Sequence, residues 1–228
     1  MSIQAVLFDL DNTLTHRGQS VSAYSQFLAQ HFAANLLNID LPKIQRIINR
    51  IDNGGYPKKE LLTHPSIGAS VAYALQQQLS WRAVPDFDEL TKFWFDHFGR
   101  NAVAMPGAEA LLQGLKQQFK LAVISNGGHA TRLSILQGLG FTNYFDEIIS
   151  SELAGISKPK PEIFLQTSAK LGIAPERCLF IGDHPINDVQ GALGAGMQAI
   201  LLEGFHTTNQ YMISNRIQQL DQIWTFLD

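Results

Sequence analysis

Five short apolar runs restrict the fold of this chain more than any other feature. Residues 3–8, Lys120–Ser125, Glu147–Ser150, Cys178–Gly182 and Gln198–Leu202 are each about as long as one buried strand, and helical-looking segments lie between them. Pro106-Gly107 opens one such segment over residues 107–119, with Ala108, Leu111, Leu112 and Leu115 on one face. Pro161 opens another, marked by Ile163, Phe164 and Leu171 and closed by Gly172. From residue 101 onward the chain reads strand-helix-strand-helix. That alternation predicts an α/β fold, a doubly wound parallel sheet with helices on both faces. Residues 217–227 carry Ile217, Leu220, Trp224 and Leu227 at helical spacing and predict a packing helix.

The first strand is far from the second, and the residues between look different. Val21, Tyr24, Phe27, Leu28 and Phe32 follow helical spacing, as do Ile44, Ile47, Ile48 and Ile51, then Phe87, Leu90, Phe93, Trp94 and Phe98. A structureless loop of that length is uncommon in a compact protein. The economical reading is an all-helical insert at residues 16–100, with residues 1–15 and 101–228 forming the α/β unit. The aromatics Phe93, Trp94, Phe95 and Phe98 are expected in the core of the insert.

Charge and composition exclude several classes. The net charge of −3 over 228 residues provides no basic field for nucleic acid or acidic membrane. The hydrophobic share of 45% and charged share of 16% describe an ordinary globular chain. Cys178 is the single cysteine, so an intramolecular disulfide and a Cys-based zinc site are excluded. Its place in an apolar run predicts inert packing. The first residues lack a basic start followed by a long apolar run, and no apolar stretch approaches the roughly 20 residues of a membrane span. A cytoplasmic protein without membrane or nucleic-acid partners is expected.

In open parallel sheets, ligands bind at the carboxyl ends of the strands. Here those ends carry Asp9-Leu10-Asp11-Asn12-Thr13, Ser125-Asn126-Gly127-Gly128 and Gly182-Asp183-His184-Pro185-Ile186-Asn187-Asp188, with Ser157-Lys158-Pro159 just before a helix. Crowded carboxylates require a divalent cation, and an all-oxygen donor set favours Mg²⁺. Ser125 and the N–H groups of Asn126 and Gly127 suit an anion. Lys158 supplies a charge against which a phosphoryl transition state develops. One carboxylate can attack phosphorus, and a second two residues away can move the proton.

The set D-x-D-x-T, S-N, K-P and G-D-x-x-x-N-D, in this order, resembles the haloacid dehalogenase-like (HAD) hydrolase superfamily, and the helical insert resembles its members with a type 1 cap. The resemblance covers nearly the whole chain. It implies a Rossmann-like catalytic core, a helical cap that closes over substrate, and a Mg²⁺-dependent phosphatase of small phosphorylated metabolites working through an aspartyl-phosphate. Residue by residue, it implies Asp9 as nucleophile and metal ligand, and Asp11 as general acid/base whose carbonyl also reaches the metal. Thr13 would support the turn. Ser125 and the Asn126 amide would hold the phosphoryl group, with Gly127 in the same loop, and Lys158 would neutralise it. Asp183 would bind Mg²⁺ directly, with Asp188 acting through the metal's waters or by orienting Lys158. In the cap, the turn-rich loop 52–59 offers Tyr56, Lys58 and Lys59 as contacts to the leaving group, against the alternative of an exposed loop with solvated lysines.

His129 and His184 adjoin the motifs, but Asp11 already fills the acid/base role. They are expected to be a helix-start residue and a loop residue. A haloacid dehalogenase lacks the second aspartate, so Asp11 argues against it. A phosphosugar mutase would use the same groups and differs in returning the phosphoryl group to another hydroxyl. A receiver-like phospho-aspartate signalling protein shares the sheet and the clustered aspartates, but is usually about half as long and carries its phospho-aspartate on a later strand. Monomer and homodimer both stay open.

Overall fold

The computed structural model describes residues 2–208 and 210–227. In chain order the main elements are β1 (Ala5–Phe8), α1 (Arg17–His31), α2 (Leu41–Asp52), α3 (Ile67–Gln78), α4 (Phe87–His97), α5 (Ala108–Leu115) and β2 (Lys120–Ser125). There follow α6 (His129–Gly138), β3 (Glu147–Ser150), α7 (Ser151–Ala154), α8 (Pro161–Leu171), β4 (Cys178–Gly182), α9 (Gly191–Gly194), β5 (Gln198–Leu202) and β6 (Arg216–Ile217). Two compact units divide the chain: residues 1–15 with 104–228, and residues 16–103.

The first unit is built on one parallel sheet, in the order β3-β2-β1-β4-β5-β6 among the described residues. β1 lies in the middle, with Ala5 beside both Lys120 and Cys178, and Phe8 beside Val123 and Ile181. Every residue of β1 is buried, as a central strand covered on both faces requires. One face packs Ala5, Leu7, Ala122, Ile124, Cys178 and Phe180 against Ile163 and Phe164 of α8, where the Phe164 and Phe180 rings meet edge to face at 5.0 Å. Burial first, with Glu176 nearby, pushes the Cys178 thiol up to about 11, so it stays protonated and packs as a small apolar group. Because β1 has β2 on one side and β4 on the other, the direction of winding reverses at its edge. Such a reversal opens a crevice at the carboxyl ends of the strands.

The sequence expectation fails at the tail of the chain. Instead of one helix over 217–227, Arg216–Ile217 joins the sheet as β6, and a short 3₁₀ helix, Leu220–Phe226, follows. The free edge of β5 is the reason. The Leu201 N–H donates to Asn215 O at 3.0 Å and the Glu203 N–H to Ile217 O at 2.9 Å, so Ile217 is buried by pairing and not on a helix face. The first strand also begins at Ala5, not at residue 3.

The second unit is helical. Its α1–α4 enclose an aromatic cluster in which Tyr24 meets Trp94 edge-on at 4.9 Å and Trp94 stacks on Phe98 at 4.3 Å. Phe93, Trp94 and Phe98 are buried as expected, but Phe95 is 44% exposed. It lies one residue past Trp94 on α4 and so turns away from the stripe. Arg17 and Asp52 form a buried pair, with Nη2 to Oδ1 at 2.6 Å and the guanidinium 4.4 Å from the Phe98 ring centre. Gly68 of α3 lies against the Trp94 indole, where an added Cβ would sit 2.7 Å from Nε1 and 2.9 Å from Cγ. Trp94 is held by its ring neighbours and has nowhere to go. Gly68→Ala is therefore expected to destabilise the protein by about 1–3 kcal/mol despite alanine's better helix propensity, read as a lower denaturant midpoint at unchanged m-value.

Candidate active site

The site grows from the turn after β1. The Asp9 N–H donates to Ile181 O at 2.9 Å, which extends the sheet by one residue. The chain then folds back on Leu10, whose carbonyl accepts from the N–H groups of Leu14 and Thr15, both at 3.0 Å. Asn12 takes a left-handed conformation (φ 59°) to close this turn. Asp9 and Asp11 are thereby held buried at the strand end, at 3% and 6% exposure. Thr15 Oγ1 donates to Asp11 Oδ1 at 3.5 Å, while the buried Thr13 hydroxyl has no hydrogen-bond partner among the described residues.

Lys158 organises the centre. Its Nζ donates to Asp9 Oδ1 and to Asp188 Oδ1, each at 2.6 Å. The Asn126 side chain fixes the lysine's backbone from both sides, accepting from Lys158 N–H at 2.9 Å and donating to Lys158 O at 3.1 Å. Asp188 enters on the π-type turn Pro185–Gln190, and its Oδ2 accepts from the His184 N–H at 2.9 Å. His184 also caps that turn, its Nδ1 accepting from the N–H groups of Ile186 and Asn187, both at 3.1 Å. That is the loop role its position predicted. His129 stands at the start of α6, where its N–H donates to Glu152 Oε2 at 2.7 Å.

Carboxylate oxygens of Asp9, Asp183 and Asp188 lie within 4.8 Å of one another, all buried. Asp9 Oδ2 is buried without a hydrogen-bond partner among the described residues. A bare buried acceptor beside two further carboxylates is what a hard cation satisfies, so the donor set fits a divalent metal bound through oxygen. The electrostatics agree. Burial raises the Asp9 carboxyl to about 7 against the lowering effect of Lys158. Asp188 is likewise raised, burial again leading. Burial alone would depress the Lys158 ammonium, but Asp188 and Asp9 outweigh it and hold it above its usual range.

One sequence expectation requires correction. The Gly127 N–H does not point into an anion cradle; it donates to Ser151 Oγ at 2.9 Å. Gly127 serves by lacking a side chain at φ 133°, where a Cβ would sit 2.7 Å from Arg132 Nη2. Ser125, at the end of β2, is buried at the same strand edge. Tyr56, Lys58 and Lys59 belong to the helical unit. There Tyr56 is half-buried and tied to Asn53, whose Nδ2 donates to Tyr56 O at 2.7 Å, and both lysines are exposed.

Two residues at the site escaped sequence reasoning. Arg132, one turn into α6, donates through Nη1 to Asp11 Oδ2, with both side chains buried. The available signal was an arginine just after the Ser125-Asn126 strand end, on the helix that this loop starts. His206, in the loop after β5, brings Nε2 to 3.1 Å from Asp183 Oδ2. The hydrogen bond and charge of Asp183 raise its pKa, while burial beside His206 lowers that of His184 to about 4. No motif spacing pointed to His206.

The family model described as haloacid dehalogenase-like hydrolase matches residues 3–196. The chain belongs to this family. It is therefore an enzyme, a hydrolase of the HAD phosphatase kind. It is 27% identical over 205 residues to the glyceraldehyde 3-phosphate phosphatase of Methanopyrus kandleri, a match covering 87% of this chain and 83% of that protein. It is 34% identical over 99 residues to the phosphoserine phosphatase of Thermus thermophilus, which spans 43% of this chain but only 40% of that relative. Among solved structures, the magnesium-bound HAD-hydrolase YfnB of Bacillus subtilis superposes over 100% of both chains, with a TM-score of 0.74 at 20% identity. That likeness establishes the shared fold. Among the described residues, no helix is long and apolar enough to cross a membrane.

Proposed function

We propose that this hydrolase is a Mg²⁺-dependent phosphomonoesterase of small phosphorylated metabolites, working through an aspartyl-phosphate on Asp9. The observation that carries the reading is Asp9 itself: buried at a strand end, one oxygen on Lys158 Nζ at 2.6 Å and the other without a hydrogen-bond partner among the described residues. Asp9, Asp183 and Asp188 would hold the Mg²⁺, which supplies charge neutralisation for the phosphoryl oxygens. Asp9 attacks phosphorus and the ester P–O bond breaks. Asp11 gives its proton to the departing oxygen. Asp11 then takes a proton from water, that water's oxygen attacks the aspartyl-phosphate, and inorganic phosphate leaves with Asp9 restored. Lys158 keeps Asp9 oriented and offsets charge on the transferring group, and Ser125 and the Asn126 N–H are the phosphoryl donors at the neighbouring strand end.

One relative is named for an amino-acid phosphate and the other for an aldehyde phosphate, so the names do not decide the metabolite. The test is inorganic phosphate release from a panel of phosphorylated metabolites with and without Mg²⁺. Release that depends on Mg²⁺ is the expected result. Label returned to a second hydroxyl, with none freed, would assign a mutase instead. We further propose that residues 16–103 act as a cap whose Tyr56, Lys58 and Lys59 meet the leaving group. Alanine at these positions is then expected to raise KM by about three- to tenfold with kcat little changed, and unaltered steady-state kinetics in all three would remove the idea.

A further inference from the structure

Arg132 is buried to a degree that its contacts do not explain. Its side chain is 7% exposed, and a guanidinium carries five N–H donors. Among the described residues it makes one hydrogen bond, from Nη1 to Asp11 Oδ2. Nε is buried with no hydrogen-bond partner among the described residues, and Nη2 lies 2.7 Å from where a Cβ on Gly127 would sit. Leaving charged donors unmet in a buried place is costly. Such a cost persists where an acceptor arrives from outside the protein.

We propose that Arg132 is a specificity-determining residue that receives a second anionic group of the substrate, carried on the leaving-group side of the phosphoester. Position selects that role over a further grip on the transferring phosphoryl group. Lys158 sits on Asp9, where phosphorus is attacked. Arg132 instead sits on Asp11, the carboxylate that serves the departing oxygen in the function proposed above, on which this inference rests. Charge points the same way. Asp9, Asp11, Asp183 and Asp188 crowd one strand edge, and a substrate bearing another negative charge next to its phosphate would be repelled unless a cation met it. A planar fork suits a carboxylate or a second phosphate alike.

Three matched compounds separate these cases: 2-phosphoglycolate, ethylene glycol bisphosphate and 2-hydroxyethyl phosphate, which has no second anionic group. The intact enzyme with Mg²⁺ is expected to favour one of the two compounds with a second anionic group over the one without by about 10- to 100-fold in kcat/KM, the worth of a charge-assisted hydrogen bond. The favoured compound identifies the anion. Arg132→Gln should collapse that ratio towards one, chiefly through KM, and Arg132→Lys should restore part of it. An equal kcat loss on all three compounds with the ratio kept would make Arg132 a mere support for Asp11 and overturn the proposal, as would no preference in the intact enzyme. Calorimetric binding of the same compounds to Asp9→Asn and Asp9→Asn/Arg132→Gln keeps the two readings apart. If nothing is hydrolysed, the phosphatase reading fails, while the affinity ratio still decides the role of Arg132.

Discussion

Asp9→Asn is expected to release inorganic phosphate at least about 10⁴-fold more slowly than the unaltered enzyme, at unchanged fold. The size follows from what the substitution removes. An amide cannot form the aspartyl-phosphate, and loss of a nucleophile from a site whose groups act as a unit costs nearly the whole enhancement such a unit provides. Asparagine keeps the shape and one acceptor, so Lys158 retains a partner at the position of Asp9 Oδ1 and the buried network does not collapse. Circular dichroism and a cooperative unfolding transition establish that the protein is folded. Asp11→Asn should behave differently. It abolishes proton transfer but leaves the nucleophile, so departure of the leaving group falls least for good leaving groups such as aryl oxides, while hydrolysis of the aspartyl-phosphate, and with it phosphate release, slows for every substrate. Activity above one per cent in Asp9→Asn, measured on a preparation free of the unaltered enzyme, would move the nucleophile to another residue.

Much of this site was legible because parallel strands end together. Asp9, Ser125 and Asp183 follow apolar runs, and once those runs are strands of one parallel sheet the three residues must share an edge. Lys158 was legible from motif order, not from any strand, since it precedes α8. What escaped is what no period encodes. Arg132 reaches Asp11 across 121 positions of sequence, and whether an arginine on a helix turns inward depends on the room left by a partner such as Gly127. His206 lies in an irregular loop, whose path is set by the turn chemistry beyond β5. The tail shows the converse error: Ile217, Leu220 and Trp224 fit a helix, but an open sheet edge competes for Ile217, and only the assembled sheet reveals it. The Gly127 N–H shows the same limit on a smaller scale. Its local sequence suits an anion loop, and Ser151, from the turn after β3, takes the donor.

Mg²⁺ should stabilise this protein, and without metal the buried charge on Asp9 should cost it stability as pH rises. Burial raises Asp9 in the folded state to about 7 from 3.8. A carboxyl raised by folding contributes stability that is fully present below its unfolded pKa and is lost as pH rises through its folded one. Metal-free protein is therefore expected to lose stability between about pH 4 and pH 7, by on the order of a few kcal/mol from this group. Asp9→Asn carries no such charge and should lack that slope, so with chelator its Tm should gain on that of the unaltered chain by several degrees between about pH 4 and pH 8. Mg²⁺ acts in the opposite direction. At a hundred times its dissociation constant, a ligand bound only by the folded state contributes about 2.7 kcal/mol, which raises Tm by roughly 5–10 °C for a chain of this size. Asp9→Asn and Asp183→Asn should show little of that rise, because each removes one of the three clustered carboxylates. Equal Mg²⁺ shifts in all three proteins would place the cation elsewhere. If chelated Asp9→Asn shows the same pH dependence of Tm as the unaltered chain, the burial cost assigned to this carboxylate is absent, and with it the physical reason a cation is needed at the end of β1.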